Sequence, residues 1–396
     1  MQFLMPTYGR NPIAFSHGDG AWIWDTDGKR YLDGFSGIAV NGLGHAHPRI
    51  TAAISDQAGR LVHVSNHYRI PEQERLAERL CTLAAMDNAF FCNSGAEANE
   101  TAIKLARLYG HQKGIDKPVI VATEQSFHGR TMATLSATGN RKVQAGFEPL
   151  LSGFARVPYN DAAAVEQVAA NNPDVVAVLV EPIQGEGGIN IPDDGYLEAL
   201  RAICDRNGWL LVLDEVQSGM GRTGKWFAHQ HGSAKADVMT LAKGLGNGFP
   251  IGACLARGAA AKVLQAGSHG STFGGNPLAC VAAMTTLAVL EDEDLLARAV
   301  ELGDSITASL RKELSDTPGV IQIRNKGLMI AIDLDRPCVE LVARGFEAGL
   351  LINVTADTVV RLLPPLIMTD EQAVMLAEGV STLIATFCAT QPAAAN

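Results

Sequence analysis

The sequence predicts an α/β protein. A mostly parallel central sheet is flanked by helices, a smaller α+β domain lies beside it, and the working site falls at the carboxyl ends of the strands. Three observations predict it. Val175-Val-Ala-Val-Leu-Val is apolar without alternation, as in a strand covered on both faces. A stretch of helical spacing follows, and then a second apolar run, Trp209-Leu-Leu-Val-Leu, so the order is strand, helix, strand. Each run ends in polar residues, Glu181-Pro-Ile-Gln-Gly-Glu-Gly-Gly after the first and Asp214-Glu-Val-Gln-Ser-Gly after the second.

Composition agrees with a globular enzyme. The 396 residues have room for one large or two ordinary domains, and 47% are hydrophobic against 19% charged. A net charge of −10 with no basic cluster argues against a nucleic-acid partner. The opening MQFLMPTYGRNP lacks the charged and apolar regions of a signal peptide, and no apolar run is expected to span a bilayer, so no membrane partner is expected. Seven cysteines, scattered without a CxxC pair, point to reduced thiols and a cytoplasmic protein.

In chain order, Ala21–Trp24 and Arg30–Asp33 form a hairpin whose turn uses Asp27-Gly28. His45 and His47 have the spacing of metal ligands, but no carboxylate or cysteine completes a set, and a polar loop is expected. Pro71 opens a helix with Leu76, Leu80 and Leu83 on one face and Glu72 and Glu74 in its first turn. Ala89-Phe-Phe-Cys is a strand that feeds a helix through Asn93-Ser-Gly-Ala-Glu, and the helix stops at Gly110. Free N–H groups at that helix start, with Gly95 allowing close approach, make either an anion site or a plain cap by Asn93 or Ser94. Val119–Ala122 is a further strand, and Phe127 in the following loop offers a ring face to a flat ligand or a core side chain. A helix from Tyr196 ends at Gly208. Phe249–Ala256 reads as a strand, Leu278–Leu290 as an alanine-rich helix. From about Asp304 helices and strands alternate, with Val320–Arg324 and Met329–Leu334 paired and Thr358–Leu363 a further strand; Gln391–Asn396 read as frayed.

The candidate chemistry centres on Lys243. The run Val238-Met-Thr-Leu leads into it and Gly244-Leu-Gly-Asn-Gly follows. A lysine at a buried strand end loses its proton or finds a partner, and the neutral amine attacks carbonyls. Those glycines lack the lysine and following hydroxyl residue of a P-loop, which argues against a nucleotide-binding module. Asp214 ends one strand, Lys243 the next, and Ser94–Ala96 supply the anion site. An acid, a lysine and a phosphate cradle are the parts that hold pyridoxal phosphate.

These parts sit in FSGIAVNGLGHAHP, FCNSGAEANETAIKLAR, SFHGRT, EPIQGEGG, LVLDEVQSGMGRTGKWFA, LAKGLGNGFPIGA, STFGGNPLAC and RLLPPL. Together they resemble the class-III aminotransferases among the fold-type-I pyridoxal-phosphate enzymes, over almost the whole chain. The resemblance implies a large cofactor-binding domain over 46–290 and a small domain from 1–45 and 291–396. It implies that Lys243 is the Schiff-base lysine and Asp214 the partner of the pyridine nitrogen. Gln217 then lies near the ring hydroxyl, Glu215 within the same cofactor segment, Val216 and Phe127 on opposite ring faces, and Ser94, Gly95 and Ala96 at the phosphate. Many relatives have threonine in place of Ala96, so one hydroxyl contact is missing. Thr272 matches a phosphate ligand supplied by the neighbouring subunit, which implies a homodimer with shared sites.

For substrates, the resemblance implies N-acetylornithine as amine donor and 2-oxoglutarate as acceptor, with glutamate as product, in arginine biosynthesis. Arg130 would hold the donor's carboxylate, Arg361 glutamate's α-carboxylate, Glu186 would neutralise Arg361 when the donor is bound, and Ser271 would touch the acylated amino acid. N-succinylornithine, N-succinyl-diaminopimelate, ornithine and putrescine are the alternative donors, because loops read the acyl group and chain length.

Overall fold

A computed structural model describes residues 3–390, so the expected fraying of Gln391–Asn396 lies outside the described residues. The centre is a sheet in the order Asn88–Cys92, Gly252–Ala256, Val238–Leu241, Leu210–Asp214, Val175–Val180, Val119–Thr123, Phe154–Val157. The last five are mutually parallel, and Gly252–Ala256 runs antiparallel to both of its neighbours. Every residue of Val175–Val180 and of Leu210–Asp214 is buried, which is why these runs do not alternate. Helices Gly95–Gln112 and Tyr196–Asn207 lie among those that cover the sheet. The first passes the expected stop at Gly110, whose missing side chain leaves room for Val176 and Pro118 where a Cβ would lie 2.7–2.8 Å from them. The second ends at Gly208 in the left-handed conformation.

Register sets the site. Asp214 pairs with Thr240, and Val180 with Leu213, so Glu181, Asp214 and Lys243 leave adjacent strands at the same edge. The expected strand from Phe249 begins only at Gly252; Phe249, Pro250 and Ile251 instead bend along the edge of this region.

Two smaller sheets complete the molecule. The hairpin Trp22–Asp25 with Arg30–Asp33 takes a parallel strand, Leu350–Leu351, from the other end of the chain. Val320–Lys326, Met329–Leu334, Val359–Leu362 and Asn353–Thr355 form an antiparallel sheet. Helix Asp370–Thr390 is long and apolar enough to cross a bilayer by length and composition alone, which corrects the expectation that no run reaches that length. Its Leu376, Val380, Ile384 and Phe387 are buried in the same core as Leu302, Ile306 and Leu310 of helix Leu295–Glu313.

Between the first sheet and the centre lies an unusual turn. Ser36, Gly37, Ile38 and Ala39 all have positive φ, at 49°, 60°, 69° and 58°. A left-handed turn costs roughly 1–2 kcal/mol per non-glycine residue. Asp33 holds it, accepting from Phe35 N at 3.0 Å and Ser36 N at 2.8 Å through one oxygen and meeting His45 Nε2 at 2.8 Å with the other. His45 is thereby tied to a buried acid, and no group of three metal-binding side chains occurs among the described residues.

Candidate active site

The strand ends open on a cavity of about 390 Å³. Its lining includes Ser94, Gly95, Ala96, Phe127, Arg130, Glu186, Asp214, Val216, Gln217 and Lys243, all of which the sequence picks out. They come from five loops far apart in the chain.

Lys243 stands where Val238–Leu241 ends, at φ 46°. No carboxylate lies within ion-pair distance of its Nζ among the described residues. Burial lowers its pKa below the ordinary lysine value; Glu186 opposes that, Arg361 adds to it, and burial wins. The amine is therefore more readily neutral than a surface lysine.

Asp214 is clamped. Its Oδ2 accepts from Asn99 Nδ2 at 2.7 Å and meets His128 Nδ1 at 2.8 Å, and its Oδ1 accepts from Val216 N at 3.0 Å. Asn99 also donates to the carbonyl of His128 at 2.9 Å and accepts from Thr240 Oγ1 at 2.7 Å, which fixes its amide orientation. A carboxylate oxygen accepts, so the contact with Asp214 suits the His128 tautomer that donates from Nδ1; its buried Nε2 has no partner among the described residues. Asn99 and His128 are the functional neighbours that sequence reasoning missed. Both lie in quoted motifs, but nothing in their spacing announces contact with an acid some hundred residues on.

The helix start at Gly95 leaves backbone donors free. Ser94 Oγ accepts from Glu97 N at 3.2 Å, whereas the Gly95 and Ala96 N–H groups have no partner among the described residues. Gly95 is required here, since a Cβ would come within 2.7 Å of Val216 Cγ1.

Arg361 is 1% exposed yet charged, and its partners explain that. It donates to Glu186 Oε1 at 2.8 Å, to Asn353 Oδ1 at 2.6 Å and to Gln217 Oε1 at 3.3 Å. Burial pushes Glu186 up, but Arg361 and then Lys243 outweigh it and hold its pKa below the ordinary carboxylate value. Arg130, by contrast, is exposed, has no acidic partner among the described residues, and lies 5.7 Å over the Phe127 ring. Glu181 completes the wall; burial, aided by Asp214 and opposed by His128, pushes its carboxyl up to about 7.

Four expected residues do not line this cavity. Arg361 stands behind it, bound to the lining residues Glu186 and Gln217. Glu215 is turned away, its carboxylate accepting from Ser218 Oγ, Ala228 N and His229 N and meeting His229 Nδ1, so its side chain belongs to the fold and not to the cofactor set. Ser271 and Thr272 line a separate cavity with His63, Asn66 and Gln73, and Thr272 is exposed there. Among the described residues, Ser271 meets the lining of the main site through Asn93 Nδ2, at 3.3 Å from its Oγ.

Known proteins carry the same frame. The profile of the family Aminotransferase class-III matches residues 5–384. An acetylornithine aminotransferase of Nitrosomonas europaea is 58% identical over 98% of both chains. A crystal structure of an N-acetylornithine aminotransferase from Stenotrophomonas maltophilia superposes with a TM-score of 0.85 at 35% identity, covering 97% of this chain and 98% of that one. An ornithine aminotransferase from Toxoplasma gondii, with pyridoxal phosphate at partial occupancy in its active site, superposes at 0.93 with 35% identity, covering 97% and 92%. Sequence, fold and relatives agree along the whole length, and this chain belongs to the class-III aminotransferases.

Proposed function

We propose that this enzyme transfers the side-chain amine of N2-acetyl-L-ornithine to 2-oxoglutarate, giving N-acetyl-L-glutamate 5-semialdehyde and L-glutamate, as a step of arginine biosynthesis. It works in the cytoplasm, in keeping with seven free cysteines, and as a homodimer whose chains share their active sites. The large domain spans 46–290 and the small domain 1–45 and 291–396. The pairing of Arg30–Asp33 with Leu350–Leu351, from opposite ends of the chain, supports that division.

Enzymes of this family use pyridoxal 5'-phosphate, and the cavity suits it. Two unpartnered N–H groups beside a glycine that tolerates no Cβ suit a phosphate. Lys243 would hold the group covalently, Asp214 its pyridine nitrogen, and Val216 and Phe127 its two faces. When bound, the cofactor supplies a carbonyl to capture the amine and an electron sink for the carbon that loses a proton. Asp214, fixed by three hydrogen-bond partners, offers its carboxyl group as the acceptor that a protonated pyridine nitrogen would need. Lys243, with its lowered pKa, takes the proton from the substrate carbon on Nζ and delivers it again.

One observation carries the choice of substrate: Glu186 on the cavity wall neutralises a buried arginine, while Arg130 on the same wall is exposed and has no acidic partner among the described residues. An acylated ornithine needs one carboxylate held, by Arg130, while its aliphatic chain lies against a neutralised Arg361. Glutamate needs both, so Glu186 swings off Arg361. The Glu186 carbonyl is held by Thr355 Oγ1, so only the side chain need move. Free ornithine would want an acid for its second ammonium. The cavity's carboxylates Glu181, Glu186 and Asp214 are all engaged, which favours the acylated donor.

The test is a single-turnover spectrum of the yellow holoenzyme with N-acetylornithine and no 2-oxoglutarate. Loss of the visible band, absent with free ornithine at equal concentration, is the expected result. Equal loss with both would replace the proposal by a broad ω-amine transaminase.

A further inference from the structure

Among the carboxylates that line the cavity, the mechanism above leaves Glu181 without a task. Glu181 is 5% exposed and follows directly on the fully buried strand Val175–Val180. It has no ion-pair partner among the described residues, although an acid in such a place is costly to keep. Its two oxygens are divided between two loops. One accepts from Phe127 N at 2.9 Å and the other from Gly185 N at 3.0 Å.

Each loop carries one half of the substrate-reading apparatus. Phe127 is three residues before Arg130 in the loop after strand Val119–Thr123. Gly185 is adjacent to Glu186 and so close to Gln217 that a Cβ would lie 2.3 Å from its Oε1; that same oxygen accepts from Arg361. The Glu181 main chain is held too, since Tyr159 OH donates to the carbonyls of Glu181 at 3.2 Å and Pro182 at 3.0 Å. Gln184 ties the far side of the second loop to the carbonyl of Glu124 at 2.7 Å, so Glu181 closes the near side of the junction.

We infer that Glu181 is a positioning residue: its carboxylate sets the separation between the Arg130 loop and the Glu186–Arg361 pair, and so the length of carbon chain the site accepts. This rests on the substrate-reading roles proposed above. Glu181 touches neither reacting carbon nor proton; it acts through the two N–H groups it holds. Only a carboxyl group offers both an acceptor. The amide of Gln offers one acceptor and one donor, so one of the two N–H groups loses its partner and the loops part.

The experiment compares holoenzymes of wild type, Glu181→Gln and Tyr159→Phe in the two half-reactions, by stopped flow, with the amine the wild type accepts and with 2-oxoglutarate. In Glu181→Gln, KM rises about tenfold for both substrates, while the limiting rate stays within about twofold and the visible band keeps its position. Tyr159→Phe, a milder change to the same junction that keeps the carboxylate, moves both KM values the same way by about threefold. A loss confined to the limiting rate would make Glu181 a catalytic residue and overturn the inference, as would a change for one substrate alone or no change in either. Should Glu181→Gln fail to fold, Tyr159→Phe decides, and unaltered KM values there overturn it. If the wild type prefers free ornithine, the substrate proposal fails while the Glu181 comparison still runs on ornithine.

Discussion

At the scale of single residues, two side chains make separable predictions. Lys243 has its pKa lowered chiefly by burial. In the cofactor-free protein, the pH dependence of carbonyl-reagent capture at Lys243 should therefore have its midpoint below the ordinary lysine value of about 10.4. Lys243→Ala should lose the visible band and at least ~10⁴-fold in turnover, measured after gel filtration of the reconstituted protein. Glu186 is held below its ordinary value because Arg361 and Lys243 outweigh burial. A depressed carboxyl stays ionised through the neutral range, and its pairing is lost only as pH falls through that lowered value, below about 4.3. Glu186→Gln therefore mimics at pH 7 what acid does to the pair. N-acetylornithine should bind about tenfold more weakly, roughly 1.4 kcal/mol, while 2-oxoglutarate binds no worse. Equal effects on the two half-reactions, read by their KM values, would rule out the exchange of Glu186 on Arg361.

At the scale of elements, the cavity depends on two backbone features that can be told apart. Gly95 opens an ordinary helix, and what it protects is the space before Val216 Cγ1. Gly95→Ala must displace Val216, so it should lower the denaturation midpoint somewhat and also weaken cofactor retention about tenfold, measured as dissociation in dialysis. Gly37 sits in the left-handed turn, where a Cβ would meet nothing closer than 3.9 Å. There the strain is purely backbone, and Gly37→Ala should cost about 1–2 kcal/mol in a urea titration with little direct effect on cofactor affinity. The same division shows what was legible from sequence. Strands buried on both faces write themselves as unbroken apolar runs, so Val175–Val180 and Val238–Leu241 are found to the residue. Phe154–Val157 is a short edge strand, mostly half-buried, and leaves no readable period; helix Pro48–Arg60 was legible in principle, with Pro48 at its start and Ile50 and Ile54 one turn apart, and sequence reasoning passed over it. Lys243, Asp214 and the helix start at Gly95 were readable because strand ends and glycines mark them. The clamp of Asn99 and His128 on Asp214 was not, because a helix residue and a loop residue distant in the chain meet the strand end only in the folded protein, and no local pattern records it.

At the scale of the whole molecule, the placement of Thr272 is the informative fact. It is exposed on a cavity separate from the one that holds Lys243. Around it, Leu61, Val62, Tyr68 and Phe273 are exposed as well, and Asn66 ties the first loop to the second by donating to the carbonyls of Ser271 and Gly274 at 3.0 Å. So many large apolar side chains on two connected loops mark a surface made to be covered. A two-fold axis through it would carry Thr272 of each chain towards the other's cofactor site. Complementation tests this. Lys243→Ala leaves Thr272 intact, and Thr272→Asp leaves Lys243 intact while placing a negative charge where phosphate should lie. Each variant alone should be inactive. A dimer with one chain of each kind has one site with both defects and one with none. If subunits redistribute at random, half the dimers are hybrids and half their sites are sound, so an equimolar mixture should recover about one quarter of wild-type activity. A mixture as inactive as its components, although mass spectrometry finds the hybrid, would mean that each chain builds its site alone.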